Sequence, residues 1–334
     1  MMDRVSSQEH IALIPSGIDD RLLDSLVPGG ARALASRDSQ KAIPAIAKDQ
    51  ALLREIEDAI QTLPTSHNLL TGDGRSMAHI PDASVHLVVT SPPYWTLKEY
   101  ADHPAQLGHV DDYTLFLDEL DKVWSEAFRV LVPGGRLVVV VGDVCLPRRR
   151  FGRHVVFPLH ASIQEHCRTI GFDNLAPIIW HKIANAKLEV ENGSSFLGKP
   201  YEPNGIIKND IEYILFQRKP GGYRQPSLAA RILSVIPAEA HKDWFQQIWT
   251  LPGASTRRHP APFPLKLAER LVRMFSFAGD TVLDPFMGTG TTNLAARRWG
   301  RNSIGIEVIP EYHDLAQRRM DARDGVQLAL ASGE

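Results

Sequence analysis

The sequence predicts an α/β protein built on a mostly parallel sheet, and three observations predict it. Short runs rich in Val, Ile and Leu recur from residue 67 onward without strict polar alternation, as strands covered on both faces require. Helical stretches separate several of these runs. Glycine-rich turns stand where strands hand over to helices.

The first 66 residues read as a helical accessory segment, with 7 Lys or Arg against 10 Asp or Glu. Leu52, Leu53, Ile56, Ala59, Ile60 and Leu63 recur at helical spacing until Pro64 stops the run, which predicts a helix docked on the main core or on a second subunit. The main domain spans 67–322, with 323–334 as a tail. Its strands are expected at 85–89, 137–141, 175–180, 211–216, 281–283 and 303–306. Between the first two, Phe116, Leu120, Val123, Trp124, Ala127 and Phe128 share one helix face, closed by Pro133-Gly134-Gly135. Further helices are expected at 265–277, after Gly290 and after Pro310.

Composition narrows the function. With 37 Lys and Arg against 39 Asp and Glu, the chain is no uniformly basic tail, although a local basic face remains open. Residues 148–224 carry such a bias, with 12 Lys or Arg against 7 Asp or Glu, and open on Arg148, Arg149, Arg150 and Arg153. No apolar run reaches the roughly 18 residues of a membrane span, and the first ten residues lack the apolar stretch of a signal peptide. A cytoplasmic protein is the expectation. Two cysteines, Cys145 and Cys167, make neither a disulfide framework nor a thiolate metal cluster, and no metal is expected.

Two loops carry chemistry, each at the carboxyl end of an expected strand, where parallel sheets bind ligands. The first, Asp284-Pro285-Phe286-Met287-Gly288-Thr289-Gly290, lets the backbone turn tightly and a ligand approach it. A dinucleotide fingerprint needs a third glycine, and Asn293 stands in its place. Glu307, ending the next strand, suits a ribose diol because its carboxylate accepts from both hydroxyls. Asp284, Gly288, Gly290 and Glu307 together describe an adenosine-type cofactor site. The second loop is Ser91-Pro92-Pro93-Tyr94-Trp95. Two prolines stiffen it, so the Pro92 carbonyl and Ser91 hydroxyl can face one place beside the flat rings of Tyr94 and Trp95. That combination is a receptor for an exocyclic amine on a planar base. Accepting its hydrogens localises the nitrogen lone pair for attack on a methyl group, and Tyr94 offers a stacking face for a base flipped from the duplex.

Ser91-Pro92-Pro93-Tyr94 and Asp284-Pro285-Phe286-Met287-Gly288-Thr289-Gly290 together resemble the S-adenosylmethionine-dependent DNA amino-methyltransferases, over about residues 67–322. The catalytic motif precedes the cofactor motif by about 200 residues, the order of the family's permuted beta group. The resemblance implies a Rossmann-like, seven-stranded, mostly parallel sheet of the class I methyltransferases, its seventh strand at 68–70, with S-adenosylmethionine as cofactor and double-stranded DNA as substrate. It implies cofactor contacts from Asp73, Phe263, Pro285 and Phe286 beside Asp284, Gly288, Gly290 and Glu307. Residues 146–210 are then the candidate DNA-contacting insert, with Trp95 against DNA and Arg148, Arg149, Arg150 and Arg153 on phosphates. Lys182, Lys187, Lys199 and Lys208 are further contributors. Serine at position 91, with His259-Pro260-Ala261, leans toward the N4 amine of cytosine, and N6 of adenine stays open. Ring-carbon methylation needs a nucleophilic cysteine, usually beside proline, and neither cysteine has that context. A homodimer and a companion restriction endonuclease are the partners that family habit implies.

Overall fold

The computed structural model describes residues 18–97, 103–146, 148–182, 209–253 and 263–322. Four helices come first, α1 Asp20–Leu26, α2 Gly29–Arg37, α3 Ser39–Ile46 and α4 Gln50–Gln61. Aspartates start three of them. Asp19 accepts from the Arg21 N–H, Asp38 from those of Gln40 and Lys41, and Asp49 from those of Ala51 and Leu52. The apolar stripe of α4 does face inward, with Leu52, Leu53, Ile56 and Ile60 packed with Ile232, Leu233 and Ala278 of the main domain. Gln61 also donates to the Arg298 carbonyl at 2.8 Å. The helices are therefore docked on the domain that follows them.

That domain holds ten described strands: β1 His67–Thr71, β2 Val85–Thr90, β3 Leu131–Val141, β4 Val144–Leu146, β5 Val155–Phe157, β6 Asp173–Lys182, β7 Ile211–Arg218, β8 Ile248–Leu251, β9 Thr281–Asp284 and β10 Asn302–Glu307. Eight form one sheet in the order β1-β10-β9-β2-β3-β7-β6-β8. Neighbours from β1 through β3 are parallel, β7 runs antiparallel to β3 and β6, and β8 returns parallel to β6. The sheet is thus mostly parallel, with one strand more than expected. The addition, β8, is a four-residue edge strand whose alternate residues face solvent.

Among the helices of this domain, α5 Tyr113–Val130 and α7 Leu159–Ile170 contact each other, and their buried residues join the core on one face. Helices α10 Leu265–Phe275 and α11 Thr291–Arg298 contribute to the core on the other. The run 137–141 lacks polar alternation for this reason: Leu137, Val139 and Val141 enter one core, and Val138 and Val140 the other. Helix α6 Arg148–Phe151 is a single turn, α8 Leu228–Leu233 and α9 Ala238–Trp244 are short, and α12 Pro310–Asp321 closes the described chain.

The expected insert at 146–210 is mostly not an insert. Residues 155–157 pair with β4, α7 buries Leu159, Ile163 and Cys167 against the core, and β6 lies inside the main sheet. Residues 183–208 lie outside the described residues, as do 254–262 with His259-Pro260-Ala261, and 323–334. No helix among the described residues is long and apolar enough to cross a membrane.

Candidate active site

β2 and β9 are parallel neighbours, Leu87 beside Val282 and Val88 beside Leu283, so the two chemical loops leave the sheet side by side. β10 and β1 continue the row, placing Glu307 opposite Thr71 at their carboxyl ends. Residues far apart in sequence therefore converge at the carboxyl ends of these neighbouring strands. There a cleft, partly open to solvent, is walled by Asp73, Ser91, Pro93, Pro285, Phe286, Gly288 and Glu307. Ala105, Gln106, Leu107, Ile306, Val308 and Tyr312 complete it, and sequence reasoning anticipated none of these.

The glycine loop is built around Glu307. Gly288 has φ +53°, a left-handed conformation that glycine adopts without steric cost. Its N–H donates to Glu307 Oε2 at 2.8 Å, and the Ile309 N–H donates to Oε1 at 2.9 Å. Each carboxylate oxygen keeps a lone pair for a further donor. Burial raises the pKa of Glu307, and those backbone donors oppose the rise. Gly290, with φ +76°, passes so close to α12 that a side chain there would lie 3.0 Å from the Ala316 Cβ.

Asp284 sits differently from the expectation. It is buried, 1% exposed, and absent from the cleft wall. Its Oδ1 accepts from the Thr90 hydroxyl at 2.6 Å and from the Phe286 N–H at 3.0 Å, which ties the two chemical loops together at their roots. Burial pushes its pKa up to about 6 against the Thr90, Thr292 and Phe286 hydrogen bonds. The ordinary value of 3.8 lies below this, so the folded protein takes up a proton as pH falls through about 6, before the unfolded chain does. The native state thus gains stability from this group between about pH 6 and pH 4. Asp284→Asn removes the linkage. In thermal melts from pH 7 to pH 4.5, the midpoint of the parent protein should rise relative to that of the variant as pH falls, and parallel curves would contradict this.

Asp73 lies in the cleft wall, paired with Arg75 at 2.6 Å, and the other branch of the guanidinium reaches Glu119. Phe263 packs into the core beneath the sheet and does not line the cleft. Ser91 is half-buried and borders the cleft; Pro92, Pro93 and Tyr94 are buried. The Tyr94 hydroxyl donates to Glu212 Oε2 at 3.1 Å.

Trp95, expected against DNA, belongs to the core. It is 5% exposed, its indole N–H donates to the Val110 carbonyl at 2.7 Å, and its ring meets Tyr113 and Phe157 edge-on. Those partners hold a φ of +47°, costly for a bulky residue, and the loop turns back over the sheet there. Arg148 and Arg149 are exposed on the single turn α6, which also contains Arg150, and exposed Arg153 follows it. All four stand between β4 and β5, in the stretch that continues β3 beyond its carboxyl end. Lys182 is no surface lysine: its Nζ pairs with Glu212.

Glu307, a candidate acceptor for ribose hydroxyls, stands on one wall of the cleft and Ser91 and Pro93 on another, while Pro92 and Tyr94 of the same loop do not line it. A DNA methylase family model, that of the N6/N4 methyltransferases, matches residues 85–318, and the chain belongs to this family of DNA methyltransferases. It is 39% identical over 275 residues to the type II methyltransferase M.MjaI of Methanocaldococcus jannaschii, covering 74% of this chain and 88% of that one. It is 34% identical to the type II methyltransferase M.MthZI of Methanothermobacter thermautotrophicus, covering 78% of each chain. Among solved structures, TTHA0409 of Thermus thermophilus, assigned as a DNA modification methylase and complexed with S-adenosyl-L-methionine, is 58% identical. The match covers 76% of this chain and 92% of that one, with a TM-score of 0.63. The cytosine-N4-specific PvuII DNA methyltransferase, at 20% identity and a TM-score of 0.57, shares the fold over 78% of this chain and 89% of its own.

Proposed function

We propose that this DNA methyltransferase, of the permuted beta group, methylates the exocyclic N4 amine of a flipped cytosine in duplex DNA, with S-adenosylmethionine as donor. The observation that carries this reading is the shared cleft, in which Ser91 and Pro93 face the same space as Phe286, Gly288 and Glu307. Bound there, S-adenosylmethionine supplies an electrophilic methyl carbon. Glu307 accepts from the ribose hydroxyls. The carboxylate of Asp73 faces the adenine amine while Arg75 holds it in place. Phe286 and Pro285 give apolar wall. Asp284 acts from below, fixing the roots of both loops rather than touching the cofactor.

On the substrate side, Ser91 and the Pro92 carbonyl take the hydrogens of the amine, so its lone pair turns out of conjugation and toward the methyl carbon. Groups placed for developing charge, and for alignment at near-contact distance, lower the barrier. Serine at position 91, where relatives of the adenine type more often carry Asp or Asn, favours cytosine. Arg148, Arg149 and Arg153 sit on the DNA side and meet phosphates, which position the duplex without reading it. The type II names of the relatives support a companion restriction endonuclease.

Nucleoside mass spectrometry tests the base directly. Purified protein, unmethylated genomic DNA and labelled S-adenosylmethionine should yield labelled N4-methylcytosine. Labelled N6-methyladenine would keep the site and overturn the base.

A further inference from the structure

Behind the catalytic loop runs a polar chain that the roles above leave unused. Glu212 is 9% exposed in β7, where it pairs with Trp180 of β6. One carboxylate oxygen accepts from the Tyr94 hydroxyl at 3.1 Å, and the other takes the Lys182 ammonium. Lys182 itself stands 4.7 Å from the centre of the Trp180 ring. On the other side, Ser91 Oγ lies 3.5 Å from the Tyr94 oxygen, at the long end of the hydrogen-bond range. Gly142, just past β3, makes room for this junction. A Cβ there would lie 3.3 Å from Tyr94 Cε2 and 3.2 Å from Glu212 Cγ.

The chain has a direction, because a carboxylate accepts and an ammonium only donates. Lys182 and Tyr94 both give hydrogens to Glu212. A phenol has one hydrogen, so the side of the Tyr94 oxygen facing Ser91 offers lone pairs. The Ser91 hydroxyl hydrogen is then drawn to Tyr94, and the serine lone pairs are left for the cleft that Ser91 borders. An exocyclic amine needs an acceptor at that point.

We propose that the Glu212–Lys182 pair is a positioning device that sets the hydrogen-bond direction of Tyr94 and Ser91, so that Ser91 meets the target amine as an acceptor. Neither Glu212 nor Lys182 touches the base. The inference rests on the methyltransferase reading of this cleft.

Glu212→Gln tests it with almost no change of shape. Lys182 holds the amide oxygen, so the amide N–H₂ faces Tyr94 and donates, which reverses the chain. The single-turnover rate of methyl transfer to unmethylated duplex DNA should fall about tenfold or more, as expected when a group oriented for the transition state is turned the wrong way. S-adenosylmethionine affinity by calorimetry should stay at the parental value, with the variant still folded at the assay temperature although the loss of the Lys182 counter-charge lowers its melting midpoint. In a Tyr94→Phe background the same substitution has no hydroxyl to reverse, and should change the already lowered rate by no more than about twofold, the non-additivity of groups that act as a unit. If Glu212→Gln does not fold, Glu212→Ala is compared in the same two backgrounds with the same expectation. An equal loss in both backgrounds would show a merely structural role and overturn the proposal, as would a parental rate in the single variant. If the parent protein transfers no methyl group to any DNA, the reading of the cleft falls, and the positioning role falls with it.

Discussion

Tyr94→Ala is expected to lower the single-turnover rate of methyl transfer by about 100-fold or more, with cofactor affinity close to that of the parent. A base stacked on an aromatic ring gains about 1–3 kcal/mol, and loss of alignment between two reacting atoms can cost a further factor of about 100. The ring is 7% exposed and shares a core cluster with Trp95, Val141 and Val144. Truncating it leaves a cavity and costs stability as well. Ser91→Ala separates the two effects, since it removes one hydroxyl from the cleft rim and leaves no cavity of that size. Its rate should fall about tenfold to 100-fold, the cost of about 1.5–3 kcal/mol for one lost acceptor of a charge-developing group. Both variants should still bind S-adenosylmethionine in a calorimeter. Parental turnover in both would remove the Ser-Pro-Pro-Tyr loop from the chemistry.

The central sheet was legible because its strands are covered on both faces, and a run such as Leu-Val-Val-Val-Val at 137–141 admits few other readings. β8 was not, because four residues at a sheet edge carry too little pattern. In 146–210 the arginines drew attention to the surface, while Leu159, Ile163 and Cys167 spelled a core-facing helix of ordinary spacing. The chemical loops were legible as motifs. Which way their side chains point was not, because the deciding partners are remote in sequence. Trp95 turns inward to Val110, Tyr113 and Phe157. Asp284 turns downward to Thr90, 194 residues away. Tyr312 reaches the cleft from α12, for which no motif gives warning. Glu212 did carry a signal: a carboxylate inside a strand otherwise read as buried needs a partner, and here it has Lys182 and Tyr94.

Glu307→Ala should weaken S-adenosylmethionine binding by about 100-fold, the largest loss expected from a single change in the cofactor half of the cleft. Two hydrogen bonds from ribose hydroxyls to a buried carboxylate contribute about 3 kcal/mol between them, and that alone is a factor of about 100. The same change strips the Gly288 and Ile309 N–H groups of their acceptors. The glycine loop, whose left-handed turn at Gly288 is braced by one of these bonds, then loses the shape that lets a ligand approach its backbone. Glu307→Gln should rescue little. Its amide nitrogen would replace one accepting oxygen and set N–H against N–H at either Gly288 or Ile309. Glu311, exposed in the first turn of α12, is the comparison, and its replacement by alanine should leave affinity unchanged. Titration calorimetry on the four proteins decides the matter. Equal affinity in the parent and Glu307→Ala would take Glu307 out of the cofactor site and leave the Gly288 turn as its whole purpose.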